Sequence, residues 1–247
     1  MKEPETIHII GAGISGLIAA HELEQAGFHP VIIEKQGTCG GRVQTVTVED
    51  FQLDHGFQVL LSAYPLAKKY LDLEALRLEK LESGAQIFVN GKRFLIGDPM
   101  RNWKVLLPTL FAGIGTIIDK MKVLKLNLHL RKKSLDEIFD TPETSTLEYL
   151  KAYGFSDTII AKFFKPFFAG IFLETELQTS SRMFEFVYKM FGEGYAALPK
   201  SGIEAIPKQL LQNLERTEIR CNTKVKRVKN GKKIKNTPLF ITFLKER

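Results

Sequence analysis

Two cysteines in 247 residues, Cys39 and Cys221, are too few for a disulfide framework or a cysteine-built metal cluster. The five histidines (His8, His21, His29, His55 and His129) fall at no metal-site spacing, so no metal ligand is expected. A secretory leader is not expected either, because Met1-Lys2-Glu3-Pro4-Glu5 offers no apolar h-region, and the expected location is cytoplasmic. Long hydrophobic runs are missing. The longest, Val105 to Ile118, lies between Lys104 and Asp119; it is too short to span a bilayer, though it could lie in a membrane interface. Charge of one sign is scarce outside the C-terminal stretch. Residues 216–247 hold eleven Lys/Arg against two Glu, whereas residues 1–215 hold 24 basic and 26 acidic residues. The net charge of +7 therefore belongs to that stretch, and no nucleic-acid partner is expected.

What is present begins with Ile7-His8-Ile9-Ile10, which reads as a buried strand ending at Gly11. Gly11, Gly13 and Gly16 then fall in G-x-G-x-x-G spacing and open a helical pattern from Ile14 to Ala26. Val31-Ile32-Ile33 reads as a second strand with Glu34 at its end, eighteen residues after Gly16. Gly11 allows the tight turn, Gly13 lets backbone approach a pyrophosphate, and Gly16 lets helix and strand pack closely. The unpaired N–H groups and positive dipole end of the helix suit that phosphate, and Glu34 stands where a ribose hydroxyl needs an acceptor. The motif implies a dinucleotide without saying which.

A nicotinamide-dependent dehydrogenase would continue with another βα unit. Here Gln36-Gly37-Thr38-Cys39-Gly40-Gly41-Arg42 makes a glycine-rich turn, Val43–Val48 alternates as a strand, and Phe51–Asp54 returns before His55-Gly56-Phe57-Gln58. The succession GAGISG, IIEK, GGR, hairpin and DHG resembles the flavin-containing amine oxidase superfamily, which includes carotenoid (phytoene) desaturases and protoporphyrinogen oxidases. The resemblance implies FAD as cofactor. It implies contacts from Gly11, Gly13, Ile14, Ser15 and Gly16, from Glu34 and Lys35, from Gly40, Gly41 and Arg42, from Gly56, Phe57 and Gln58, and from the backbone of Val225 near the adenine. Asp54 and His55 read as turn formers with no acid–base role.

The implied fold is α/β. A Rossmann-like FAD/NAD(P)-binding domain of the GR2 type (residues 1–85 and 196–229) carries an inserted, mainly helical substrate domain (86–195). Gln86–Val89 and Arg93–Ile96 flank an Asn90-Gly91 hairpin signal, and Tyr64–Leu81 reads as helix and connector. Trp103–Leu130 reads as one or two helices. There Lys104, Lys120, Lys122 and Lys125 beside apolar residues suit peripheral membrane contact and an ordinary solvated face equally. Ten aromatic residues between Phe163 and Tyr195 furnish either a helical core or a chamber for an apolar small-molecule substrate. Tyr195–Gly202 reads as a loop returning to the first domain, with Ser201 where the family has the first of two glycines.

After Val228 the resemblance stops, and residues 230–247 read as an atypical basic tail. The expectation is an FAD-dependent oxidoreductase carrying out two-electron oxidation with hydride transfer to flavin N5. It is expected to be truncated, with a complementing C-terminal chain as one remedy; no catalytic residue is named. A non-catalytic dinucleotide-binding remnant and an NAD(P)-dependent dehydrogenase are the alternatives.

Overall fold

Parallel strand pairing carries the glycine motif. A computed structural model describes residues 6–56, 59–89, 91–97, 113–229 and 240–245. Its contacts divide the chain into two units, the first comprising Met1–Val59, Leu66–Glu79 and Leu198–Arg247, the second Leu60–Pro65 and Lys80–Ala197.

In the first unit, β1 (Thr6–Ile10), α1 (Ile14–Gln25) and β2 (His29–Ile33) form a βαβ unit in which β1 and β2 pair parallel, Ile10 opposite Ile33. The short strand Glu218–Arg220 joins the other edge of β2, also parallel. Leu17, Ala20 and Ala12 pack on Ile32 and on Leu210 of a second helix, Ala205–Gln212. Four of the five β2 residues are buried, which explains the near-continuous apolar run, since a parallel strand covered on both faces needs no polar alternation. Glu24 of α1 is buried because it serves as a cap across the unit. Its carboxylate accepts from the Glu215 and Arg216 amides at 3.0 and 2.8 Å and from the Thr217 hydroxyl at 2.5 Å. Burial alone would raise its pKa; these donors outweigh it and hold the carboxyl below the usual value.

The antiparallel hairpin β3 (Thr45–Val48) and β4 (Phe51–Asp54) follows β2, with Glu49 in a left-handed conformation at the turn. The C-terminal stretch is more regular than its composition suggests. Thr223–Lys229 pairs antiparallel with Phe240–Lys245, with a register irregularity between Val225 and Arg227. The Asn230-Gly231 turn signal lies outside the described residues.

Chain order in between adds β5 (Leu60–Leu61), α2 (Pro65–Tyr70) and β6 (Leu78–Lys80), the last a strand where a plain connector was expected. The expected hairpin is β7 (Gly84–Val89) and β8 (Lys92–Gly97), with Val89 opposite Lys92 and Gly91 at φ +73°. Of the expected helices over 103–130, residues 101–112 lie outside the description. The remainder is α3 (Ile117–Lys132), followed by α4 (Leu135–Asp140) and α5 (Thr146–Ala152). All three begin with capping boxes: Thr116/Asp119, Ser134/Glu137 and Ser145/Glu148. The phenylalanine-rich run forms α6 (Asp157–Ile159), a π-turn (Ile160–Phe164) and α7 (Lys165–Phe172), and α8 spans Ser181–Glu193. Phe164, Phe168 and Phe184 are fully buried with Leu126, Leu130 and Leu150, so much of the aromatic surplus is core.

Residues 195–202 are not simply a loop. Ala196–Pro199 is strand β9, whose first two residues pair with β5. The alternation that would have marked it is only four residues long and ends at Pro199. Ala205–Gln212 is α9, Glu218–Arg220 β10, Thr223–Lys229 β11 and Phe240–Lys245 β12. Among the described residues no helix is long and apolar enough to cross a membrane.

Candidate functional site

Three separate stretches of sequence meet at the start of α1. Gly11 turns the chain out of β1 at φ +97°, with its amide donating to Ile33 O at 2.8 Å. A Cβ on Gly16 would sit 2.0 Å from the carbonyl oxygen of Gly11, so this position tolerates no side chain. Gly13 is different: a Cβ there meets no atom within 4 Å, and its extended conformation (φ −74°) suits any residue. Among the described residues nothing requires glycine at position 13, whereas close backbone approach by a ligand would. Gly13 also N-caps α1 without a side-chain hydrogen bond, and the first turn carries no acid. The helix thus presents unmasked N–H dipoles, with half-buried Ile14 and exposed Ser15 leading.

Glu34 fixes this turn from below. Its buried carboxylate accepts from the Ala12 amide at 2.7 Å and from the Gln36 amide at 2.8 Å. A carboxylate has about four lone-pair sites, so two remain for a hydroxyl-bearing ligand. Lys35 beside it is exposed. The third stretch enters through Gly40, whose amide donates to Ala12 O at 2.8 Å and which bridges Gly13 in parallel fashion. Gly40 (φ +119°) and Gly41 (φ +63°) both lie in the left-handed region. A Cβ on Gly41 would come within 3.2 Å of Gly13 Cα. Arg42 follows, exposed at the rim. The structure therefore brings Gly11–Gly16, Glu34 and Gly40–Gly41 into one place.

Thr223 N donates to Glu34 O and Asn222 N to Gln36 O, which sets half-buried Val225 two residues beyond Glu34's backbone partner. Gly56 lies at the exposed end of β4 with φ +74°, while Phe57 and Gln58 lie outside the described residues. A flavin dinucleotide's ribose and pyrophosphate fit this donor set: an acid with spare lone pairs, an uncapped helix start, and glycines whose surface a side chain would fill.

Sequence reasoning underrated Asp54 and Thr45. Asp54 Oδ1 accepts from Thr45 Oγ1 at 2.6 Å and from Ile203 N at 3.0 Å, and Thr45 Oγ1 accepts from Glu204 N. Gly202 makes room for this, since a Cβ there would lie 2.4 Å from Thr45 Oγ1. Asp54 thus positions the segment leading into α9. Ile203 lies 149 residues away, and no local pattern announces it. Cys39 lies between Gly37 and Gly40. Burial first, then the neighbouring Cys221, push its thiol up to about 11, so it stays protonated at neutral pH.

In the second unit a recess of about 520 Å³ is lined by Ile87, Phe88, Lys162, Phe163, Pro166 and Phe167, where β7 faces the π-turn and α7. Two buried charges of this unit, Lys189 and Glu185, are paired internally, whereas Arg131 Nε is buried without a hydrogen-bond partner among the described residues. Lys189 donates to Leu130 O at 2.8 Å and to Glu193 at 2.5 Å, and Lys133 pairs with buried Glu185 at 2.6 Å. Burial and then Glu185 raise the Tyr149 hydroxyl well above its usual range.

A family model described as flavin containing amine oxidoreductase matches residues 14–237. Protoporphyrinogen oxidase 2, chloroplastic/mitochondrial, of Arabidopsis thaliana is 26% identical over 170 residues, covering 66% of this chain and 32% of that protein. A phytoene desaturase of Cercospora nicotianae is 30% identical over 106 residues, covering 40% of this chain and 17% of that protein. The crystal structure of an oxidoreductase from Methanosarcina mazei superposes with a TM-score of 0.68 at 21% identity, over 98% of this chain and 56% of that one. The chain thus spans about a third of the first relative and about half of the solved structure.

Proposed function

The chain belongs to the family of flavin-containing amine oxidoreductases, whose cofactor is FAD, and from that premise we propose that its first unit holds the adenine, ribose and pyrophosphate of that cofactor. The pyrophosphate lies against Gly11–Gly16 and the start of α1, where the amides near Ile14 and Ser15 donate to it. Gly40 and Gly41 flank it, and Arg42 offers a planar fork of donors to the phosphate oxygens. Glu34 turns its remaining lone pairs to the ribose hydroxyls, Lys35 borders the same end, and the backbone of Val225 lies along the adenine. Gly56 leads toward the ring system. FAD, when bound, would supply a two-electron acceptor for the hydride of a substrate C–H bond as the adjacent C–N or C–C bond is oxidised to a double bond. The chain's own part is to bind and orient; no described side chain is assigned as acid or base. The second unit serves as the substrate side, and the apolar recess lined by Ile87, Phe88, Phe163 and Phe167 supports a small apolar substrate.

The observation that carries this reading is Gly13, a position where the protein has room for a side chain and none is present. Titration with FAD and with NADH, followed by flavin absorbance and fluorescence, tests it. Tight FAD binding lost in Gly13→Val is expected, and NADH binding in its place would overturn the assignment. FAD binding with no turnover of amine or lipophilic substrates would leave a binding module instead.

A further inference from the structure

The chain has two cysteines, 182 positions apart, and the fold sets them side by side. Backbone pairing brings this about. Arg220 stands opposite Ile33 in the parallel sheet, and its carbonyl accepts from Glu34 N at 2.9 Å. Beyond the sheet the two segments stay together, Asn222 N donating to Gln36 O at 3.0 Å and Thr223 N to Glu34 O at 2.8 Å. Cys221 lies between those anchors. On the facing segment, a Cβ on Gly37 would lie 3.3 Å from Asn222 Oδ1, and Cys39 follows two residues later. The two thiols share a hydrogen bond.

Both cysteines are half-buried, so a small reagent can reach the pair. Cys39 rests on the cluster formed by Ala12, Leu17, Ile32 and Leu210, which fixes its place. A metal role has no support, since among the described residues no three His, Cys, Asp or Glu side chains gather as ligands. Two thiols in contact, on segments pinned by backbone hydrogen bonds, are the arrangement from which an intramolecular disulfide closes without large backbone movement. The location gives such a bond consequences. Cys39 immediately precedes Gly40, whose amide holds Ala12 O at 2.8 Å, and Gly41, which lies against Gly13.

We propose that Cys39 and Cys221 form a reversible disulfide that locks the turn over residues 36–42 onto residues 218–223, so that the redox state of the pair sets how firmly the glycines beside Gly13 are held. The proposal is independent of the flavin reading. The oxidant is a low-molecular-weight disulfide. The Cys221 thiolate attacks one of its sulfurs, forming a mixed disulfide and releasing one small thiol. The Cys39 sulfur then attacks the Cys221 sulfur, the protein disulfide forms, and the second small thiol departs. Each cysteine proton passes to the thiolate that leaves, so two protein thiols are oxidised and the small disulfide is reduced to two thiols. Cys221 goes first because Cys39 is held protonated; once Cys221 is capped, its charge no longer contributes to that effect.

Equilibration of the full chain in mixtures of glutathione and glutathione disulfide, quenched with iodoacetamide and read by intact mass, tests it. Both cysteines should lose their label together as the disulfide fraction rises, and a non-reducing peptide map should join the Cys39 and Cys221 peptides. The oxidised chain should melt about 4–16 °C above the reduced one, a difference that dithiothreitol removes. In Cys39→Ser, glutathione should stay attached to Cys221. The double variant Cys39→Ser/Cys221→Ser should melt identically in oxidising and reducing mixtures, and comparing it with itself removes any cost of the substitutions. Two labels at every glutathione ratio, a disulfide joining two chains, or an oxidised melt equal to the reduced one overturns the proposal.

Discussion

Glu34→Gln separates what Glu34 does for the protein from what it does for a ligand. In the folded chain both carboxylate oxygens accept backbone amides, from Ala12 at 2.7 Å and from Gln36 at 2.8 Å, in a site that is 8% exposed. A glutamine keeps one acceptor. Its NH₂ then faces the other N–H, so one charge-assisted bond is lost and a buried donor is left unsatisfied. That costs about 2–3 kcal/mol. For a chain of this length the melting temperature should fall by roughly 4–12 °C with no cofactor added. Ribose binding loses an acceptor as well, so FAD affinity should weaken by a further ~10- to 150-fold. Differential scanning calorimetry of the cofactor-free variant measures the first effect and flavin fluorescence titration the second. An unchanged melting temperature would refute the reasoning, because it would mean that the bonds to Ala12 and Gln36 do not order the glycine turn.

Gly13→Ala and Gly16→Ala should part company. The first leaves the thermal melt unaltered while weakening FAD, and the second loses at least about 1–3 kcal/mol in urea titration, because its Cβ strikes the carbonyl of Gly11. Asp119 makes the second unit acid-sensitive. Burial would raise its pKa, but the donors of Ser156 and Thr116 prevail and hold it at about 2, below the ordinary 3.8. Its stabilisation, about 2 kcal/mol, is fully present above pH 3.8 and disappears as pH falls through about 2. Asp119→Asn should lose stability at neutral pH and flatten the denaturant midpoint between pH 4 and 2; a midpoint that still falls as steeply there points to other carboxylates. Phe184→Ala, at a fully buried ring 4.7 Å from that of Phe168, should cost about 3–5 kcal/mol, and a loss under 1 kcal/mol would mean the aromatic cluster can collapse around the gap.

The site's first half was legible because its determinants are local. Strand, glycines, helix and terminal acid lie within 34 residues, and each glycine's requirement follows from backbone geometry at its own position. The β3–β4 and β7–β8 hairpins were legible for the same reason. What stayed hidden depends on partners distant in sequence. Glu24 looks like one more polar residue on α1 until residues 215–217 arrive, and Asp54 looks like a turn residue until Ile203 donates to it. Strands β6 and β9 are only three and four residues long, too short for periodicity to register. The lysines beside apolar residues over 103–130 suit membrane contact and a solvated face equally in the sequence; only the burial of Leu126 and Leu130 shows which side of α3 is spent on the core.

The pairing of β2 with β10 also sets a timetable for synthesis. Val31, Ile32 and Ile33 stand opposite Glu218, Ile219 and Arg220, nearly 190 positions further on, and Glu24 meets its partners across a similar interval. The second unit is drawn almost wholly from the continuous run Lys80–Ala197, which leaves the ribosome before the first unit's last strands exist. Lengthening a loop costs little at equilibrium, about 0.6 kcal/mol for each doubling, but non-local pairing is slow. Emergence from the ribosome therefore favours the second unit folding first. Meanwhile β1 and β2 wait as a nascent pair, and their sheet closes only when the segment after α9 has been made.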